Sequence, residues 1–102
     1  MLGGAARIGD LCLPECGKLP FSIISGNPTV LVNGQPMATI GSAVFPHLGK
    51  ITKCKKMVPG SIITGSPSVL VGGSPAATLG SLQFSGSLPT PVITASFDVI
   101  VG

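Results

Sequence analysis

Residues 23–42 read IISGNPTVLVNGQPMATIGS, and residues 62–81 read IITGSPSVLVGGSPAATLGS. The two stretches align without a gap at an offset of 39, with 13 of 20 positions identical. In each copy an apolar strand (Thr29, Val30, Leu31, Val32; Ser68, Val69, Leu70, Val71) meets a Gly-containing pair and then a second strand. That second strand is expected to run on into Ile40-Gly41 or Leu79-Gly80. The pairs are Asn33-Gly34 and Gly72-Gly73, residue types that supply the two positive φ angles of a tight type I′ turn. Pro28 and Pro67 precede the strands, and Pro36 and Pro75 follow the turns. Proline removes a ladder donor, so these positions mark strand ends or edges. The repeating unit is predicted to be a β-hairpin.

A third copy is split between the chain ends. Gly4-Ala5-Ala6-Arg7-Ile8-Gly9-Asp10 lines up with Pro36-Met37-Ala38-Thr39-Ile40-Gly41-Ser42 and with Pro75-Ala76-Ala77-Thr78-Leu79-Gly80-Ser81, so it is a second hairpin strand without its first. The missing first strand aligns at the C-terminus, where ITASFDVIVG (93–102) matches ITGSPSVLVG (63–72), with Phe97 in place of proline and Ala95 in place of glycine. An unpaired strand exposes a row of backbone donors and acceptors, so closure of the split copy is favoured. Gly102 then meets Gly3-Gly4 where a turn would lie. The expected fold is all-β: a small cone of three hairpins with pseudo-threefold symmetry, the third closed by the N- and C-terminal strands, in a single domain spanning 1–102. Hairpins are marginal alone, whereas three sharing an apolar face can form a core. The triplets Val30-Leu31-Val32, Val69-Leu70-Val71 and Val99-Ile100-Val101 lack strict alternation, so both strand faces are expected to be covered. One face packs on the axis; the other needs a further surface.

Charged residues are 9% of the chain, against about 25% in an ordinary globular protein. Such a composition fits a membrane segment, a low-complexity chain or a surface covered by a partner. Gly or Pro interrupts every apolar run before it approaches the ~18 residues of a spanning helix. The hairpin repeat argues against disorder, so a partner-covered surface is the expectation. The N-terminus lacks a basic stretch followed by an apolar one, so synthesis in a cytoplasm without a signal peptide is expected.

Three connectors remain, residues 11–22, 43–61 and 82–92, and all leave the same end of their hairpins. Rich in Gly, Pro and Lys and short on periodicity, they read as loops. All three cysteines and the single histidine lie in the first two: Cys12 and Cys16, then His47 and Cys54, spaced C-x3-C-x30-H-x6-C. In a cytosolic chain, three cysteines favour metal binding or free thiols over a disulfide framework, although Cys12 could pair with Cys16 on oxidation. Four soft or borderline donors from two adjacent loops suit a closed, structural tetrahedral zinc, with iron a lesser option.

Other chemistries have thinner support. The acids are Asp10, Glu15 and Asp98, and only Glu15, beside Cys16, could serve a zinc hydrolase as general base. A Cys54–His47 nucleophile pair is possible on paper, and no phosphate-cradling loop is present. Catalysis is therefore not expected. Lys50, Lys53, Lys55 and Lys56 form the basic cluster of a chain with net charge +3, yet no aromatics interleave it, so nucleic acid is not the expected partner.

The element Gly4-Ala5-Ala6-Arg7-Ile8-Gly9-Asp10 resembles the motif that names the PAAR-repeat proteins. Residues 25–36 (SGNPTVLVNGQP) and 64–75 (TGSPSVLVGGSP) resemble that family's other signature, so the likeness spans essentially the whole chain. The resemblance implies a β-rich cone whose tip is fixed by zinc on His and Cys side chains. It also implies a non-enzymatic role: one tip capping and sharpening a trimeric β-helical spike, VgrG-like in type VI secretion or the spike of a contractile phage tail. Such a tip pierces a target membrane, contacts it transiently, leaves the cell that made it (or sits in a virion tail) and can carry effector proteins. The ligand positions carried over are Cys12 and Cys16 after the first motif and His47 and Cys54 after the second. The chain departs from the family in offering one histidine and three cysteines, in lacking the motif arginine at Thr39 and Thr78, and in replacing the motif aspartate by Ser42 and Ser81. It is expected to be a tip without a toxin domain of its own.

Overall fold

Both gapless copies form the hairpins that their turns predict. The computed structural model describes residues 3–14, 16, 19–49, 53–66, 68–86, 89–96 and 99–101. Strand β4 (Asn27–Val32) pairs antiparallel with β5 (Gln35–Met37), and β8 (Leu70–Val71) with β9 (Ser74–Pro75). Asn33 and Gly34 have φ of 51° and 83°, and Gly72 and Gly73 have 59° and 86°, as a type I′ turn requires. The split copy closes in the same way. β1 (Gly3–Gly4) pairs with β12 (Ile100–Val101), Gly3 opposite Val101 and Gly4 opposite Ile100, and the Ala5 amide donates to the Val99 carbonyl at 2.8 Å. Pro67, Phe97, Asp98 and Gly102, on which parts of the sequence alignment rest, lie outside the described residues.

The second strand of each hairpin is shorter than expected, because it changes partner. β5 ends at Met37, and Thr39 bridges Ala76 of the next copy; likewise Arg7 bridges Met37 and Ala5 bridges Thr78. At the centre Ala6 N–H donates to Ala77 O (3.0 Å), Ala77 N–H to Ala38 O (2.9 Å) and Ala38 N–H to Ala6 O (2.9 Å). These bonds form a closed cycle through all three copies. Neighbouring residues along an extended strand face opposite ways, so each copy feeds two separate clusters. Ala6, Ala38 and Ala77 join Cys12, Phe21, Ile23, Val44, Ile62 and Val92. Ala5, Met37 and Ala76 join Val32, Val71 and Val101.

The turn after each central alanine is also repeated. Asp10 Oδ2 accepts from the Arg7 amide at 2.9 Å, Ser42 Oγ from Thr39 and Ser81 Oγ from Thr78, each at 2.9 Å. A hydroxyl thus takes over the local acceptor role of the aspartate, which is why serine is accommodated at two of the three positions.

The connectors depart from expectation: they are not loops. The first contains β2 (Leu11–Cys12) and β3 (Phe21–Ser22), the second β6 (Ala43–Leu48) and β7 (Met57–Ile62), and the third β10 (Leu82–Phe84) and β11 (Thr90–Pro91). Each pair is antiparallel, and neighbouring pairs are joined as well. Ile62 lies opposite Gln83, Ile23 bridges Val44, and Cys12 bridges Val92. Through these two single bridges the four-stranded and two-stranded sheets are linked into a ring. The bonds that join one connector to the next link residues distant in sequence, so local pattern does not reveal the ring. The result is a compact all-β molecule with a radius of gyration of 12.7 Å and extents of 36 × 23 × 20 Å. Among the described residues there is no helix, hence none long and apolar enough to cross a membrane.

The hairpin triplets are covered on one face only. Val32, Val71 and Val101 are 2%, 6% and 4% exposed, whereas Leu31, Leu70 and Ile100 are 59%, 62% and 55% exposed. Among the described residues the inner face is covered and the outer face stays more than half exposed.

Closure of the terminal hairpin is open to test at Gly4, where an added Cβ would collide with the Ser96 carbonyl oxygen and lie 3.2 Å from Ala95 Cβ. Gly4→Ala is expected to cost about 1–3 kcal/mol through overpacking. Gly9→Ala, with φ of 95° and open space around it, should cost about 1 kcal/mol through backbone conformation alone. Urea unfolding of the two variants makes the comparison.

Candidate functional site

The four proposed metal ligands sit on two strands and in two connecting segments. Cys12 ends β2, Cys16 lies between β2 and β3, His47 is in β6, and Cys54 is in the turn between β6 and β7. His47 owes its place to a register shift. Val44 pairs with Gly60 and His47 with Val58, so β6 spends one more residue than β7 between these points. Pro46 cannot donate to a ladder, and a bulge at Phe45-Pro46 absorbs the extra residue. Simple alternation from buried Val44 would leave His47 outside; with the bulge, Phe45 and Pro46 point out and His47 is buried.

Once inside, the imidazole stacks on Phe21 with parallel rings, centroids 3.6 Å apart. Nδ1 is 2.9 Å from the Phe45 carbonyl oxygen, which only accepts, so Nδ1 carries a proton. Nε2 is 2.9 Å from Ser85 Oγ. Ser85 Oγ donates to Gln83 Oε1 at 2.8 Å, and Gln83 Nε2 donates to Thr90 Oγ1 at 2.7 Å. Gln83, Ser85 and Thr90 are all buried, so this chain of hydrogen bonds offsets their desolvation. Gly60 makes room for it: a Cβ there would collide with Ser85 Oγ and approach Gln83 Oε1 to 2.6 Å. Sequence reasoning passed over these three polar residues. The available signal was the period-two pattern Leu82-Gln83-Phe84-Ser85, which belongs to a strand rather than a loop.

Cys16 and Cys54 are joined in a disulfide, with Cα atoms 5.9 Å apart. The pairing differs from the Cys12–Cys16 bond considered for the oxidised chain. The turn before β7 folds back through positive φ at Lys53 (56°) and Cys54 (63°), and the Cys54 amide donates to Gly49 O at 3.1 Å. That return brings Cys54 to the first connector. Cys12 is instead fully buried in the apolar cluster with Ile23, Val44 and Val92. Its thiol is pushed up to about 12, first by burial and then by the nearby Asp10 carboxylate. Asp10 itself is buried, 3.2 Å from Arg7 Nε, and accepts from Thr94 Oγ1 at 2.9 Å.

Cys16 and His47 line one apolar cleft of about 450 Å³ together with Leu19, Phe45, Leu48 and Met57. Cys16, Cys54 and His47 thus converge on one end of the molecule while Cys12 does not. As placed, the four do not fit a tetrahedral zinc: two sulfurs are spent on each other, one thiol is buried and protonated, and both imidazole nitrogens have partners. Among the described residues no group of three or more His, Cys, Asp or Glu side chains is arranged to hold a metal ion. Glu15, the one acid considered for a hydrolase that is not expected, and Lys50, in the basic cluster, lie outside the described residues. Compared with models of known protein families and with characterised proteins, the sequence matches none.

Two outcomes follow from the cysteines. The Cys16–Cys54 bond closes a span of 38 residues, which the chain-entropy relation values at about 4 kcal/mol. Reductant should therefore lower the melting temperature of the wild-type chain and leave a Cys16→Ser/Cys54→Ser double variant unchanged. Cys12 keeps its proton in the folded state over the range in which the unfolded thiol, near 9.0, loses it. Its contribution to stability is complete below pH 9 and is lost as pH rises toward about 12. Cys12→Val should flatten that alkaline limb, and iodoacetamide at pH 8 should label Cys12 only after unfolding.

Proposed function

We propose that this protein is the tip of a trimeric spike: a PAAR-type cone in which three like hairpins form a base with pseudo-threefold symmetry. The base seats on the blunt end of a β-helical trimer, VgrG-like or of the phage-tail kind. The observation that carries this reading is the outward face of the hairpins. Leu31, Leu70 and Ile100 occupy equivalent positions in the three copies and are all exposed; so are Ile24, Ile63 and Ile93. Apolar side chains repeated three times around one chain match what three identical subunits offer, because each subunit then meets a similar patch. The cyclic bonds among Ala6, Ala38 and Ala77 support the cone reading, since each copy donates to one neighbour and accepts from the other. The role is mechanical: a cap that sharpens the spike for membrane piercing and delivery of effectors, with the strand ring and the disulfide at the leading end.

Zinc enters this proposal only for the reduced chain. Cys16 and Cys54 thiolates, beside His47, would then be the soft donors, and His47 would give up Ser85 to bind through Nε2. Cys12 as a fourth ligand would require the first connector to repack. The structural metal would supply the cross-link that the disulfide otherwise provides.

Size exclusion of the protein with a cognate trimeric spike should give one tip per three spike chains. Leu31→Asp/Leu70→Asp/Ile100→Asp should abolish that complex with little change in the melting temperature of the free tip. A 3:3 assembly, or undiminished binding by the triple variant, contradicts the cap. For the metal, protein purified anaerobically with reductant should carry about one zinc per chain by mass spectrometry. Cys16→Ser/Cys54→Ser protein prepared alongside should carry none; stoichiometric metal in that variant contradicts the donor set.

A further inference from the structure

We propose that the β6–β7 end of the molecule is a binding surface for an anionic phospholipid bilayer. Leu19, Phe45, Leu48 and Met57 enter the boundary between headgroups and acyl chains, and Lys53 and Lys55 pair with headgroup phosphates. The proposal deepens the tip reading by assigning chemistry to the leading end.

The apolar side chains form one surface. Leu19, Phe45 and Met57 are 86%, 54% and 59% exposed, Leu48 is also exposed, and all four line the same cleft. Leu48 and Met57 are cross-strand partners at the outer end of the hairpin. The bulge at Phe45-Pro46 turns Phe45 outward while it buries His47. Exposed apolar side chains gathered in one cleft and rimmed by polar groups are a usual mark of an interaction site.

The charge pattern selects the occupant. Beyond the Leu48–Met57 pair the chain turns back through Lys53 and Lys55, both exposed. Residues 43–62 hold four lysines and no acid. Asp10, the acid among the described residues, is buried beside Arg7. Apolar side chains with a cationic rim are what an anionic membrane interface rewards: burial of the former and attraction of the latter act together. A polynucleotide would satisfy the lysines and could stack on Phe45, but it offers nothing to Leu19, Leu48 or Met57. The Cys16–Cys54 bond ties the Leu19 segment to the lysine turn, so apolar and basic groups are held on one side before binding and little order remains to be imposed.

The test is co-sedimentation of the oxidised full chain with vesicles of phosphatidylcholine alone or with about one-third phosphatidylglycerol, at low salt and at about 0.5 M salt. The expected result is preferential binding to the anionic vesicles, weakened about tenfold or more by high salt or by Lys53→Glu/Lys55→Glu. Leu19→Ser/Phe45→Ser/Met57→Ser should remove binding at low salt as well, with thermal melting confirming that the variants stay folded. Equal binding to both vesicles, no binding to either, or binding that survives the lysine changes overturns the proposal. So does salt-sensitive binding to duplex DNA that the apolar variant retains, paired with none to vesicles. These substitutions leave Leu31, Leu70 and Ile100 untouched, so spike capping can succeed or fail independently.

Discussion

Three backbone hydrogen bonds, linking Ala6, Ala38 and Ala77 in a cycle, are the constraint that the other elements serve. A cycle of this kind needs three strands to converge on one point, and only a small side chain fits there: all three alanines are completely buried. It also forces each hairpin to change partners after its central alanine, because the strand that began within its own copy must finish on the next. No copy can then satisfy its own backbone. The chain ends must contribute the third member, and Gly3–Gly4 and Ile100–Val101 do so as a two-stranded ladder.

From that cycle the molecule divides by chemistry. On the Ala5, Met37 and Ala76 side, the hairpins bury one valine each and present a larger aliphatic residue outward. On the Ala6, Ala38 and Ala77 side, six connector strands close on themselves around Ile23, Val44, Ile62 and Val92. The second side carries a buried polar chain from His47 to Thr90 and the covalent bond between Cys16 and Cys54. Strand pairing across the copies and one covalent bond tie this end together.

How much of this was legible in the sequence depends on how local its cause is. Asn33-Gly34 and Gly72-Gly73 fix their turns by φ alone, so the hairpins were readable. The split copy was readable because an exact repeat exposes a missing part. The connector strands were harder to read: Ile62–Gln83 and Cys12–Val92 are pairings across the fold, and the bulge at Phe45-Pro46 breaks the alternation of the six-residue strand β6. His47 drew attention in the sequence only as a metal donor in a loop; its burial and its bonding to Ser85 depend on the bulge at Phe45-Pro46. The cysteines illustrate the same limit: spacing placed Cys12 and Cys16 together, whereas Cys12 faces the core and Cys16 faces the opposite connector. Ser42 and Ser81 looked like departures from the aspartate pattern, yet they preserve its turn bond.

Amide hydrogen exchange at Ala6, Ala38 and Ala77 tests the central claim most directly. If the split copy is an equal member of the cycle, the three amides exchange together, at the slow rate set by global unfolding. If Ala6 instead exchanges well ahead of Ala38 and Ala77, the terminal strands open on their own and the three-membered cycle is not what holds the molecule together.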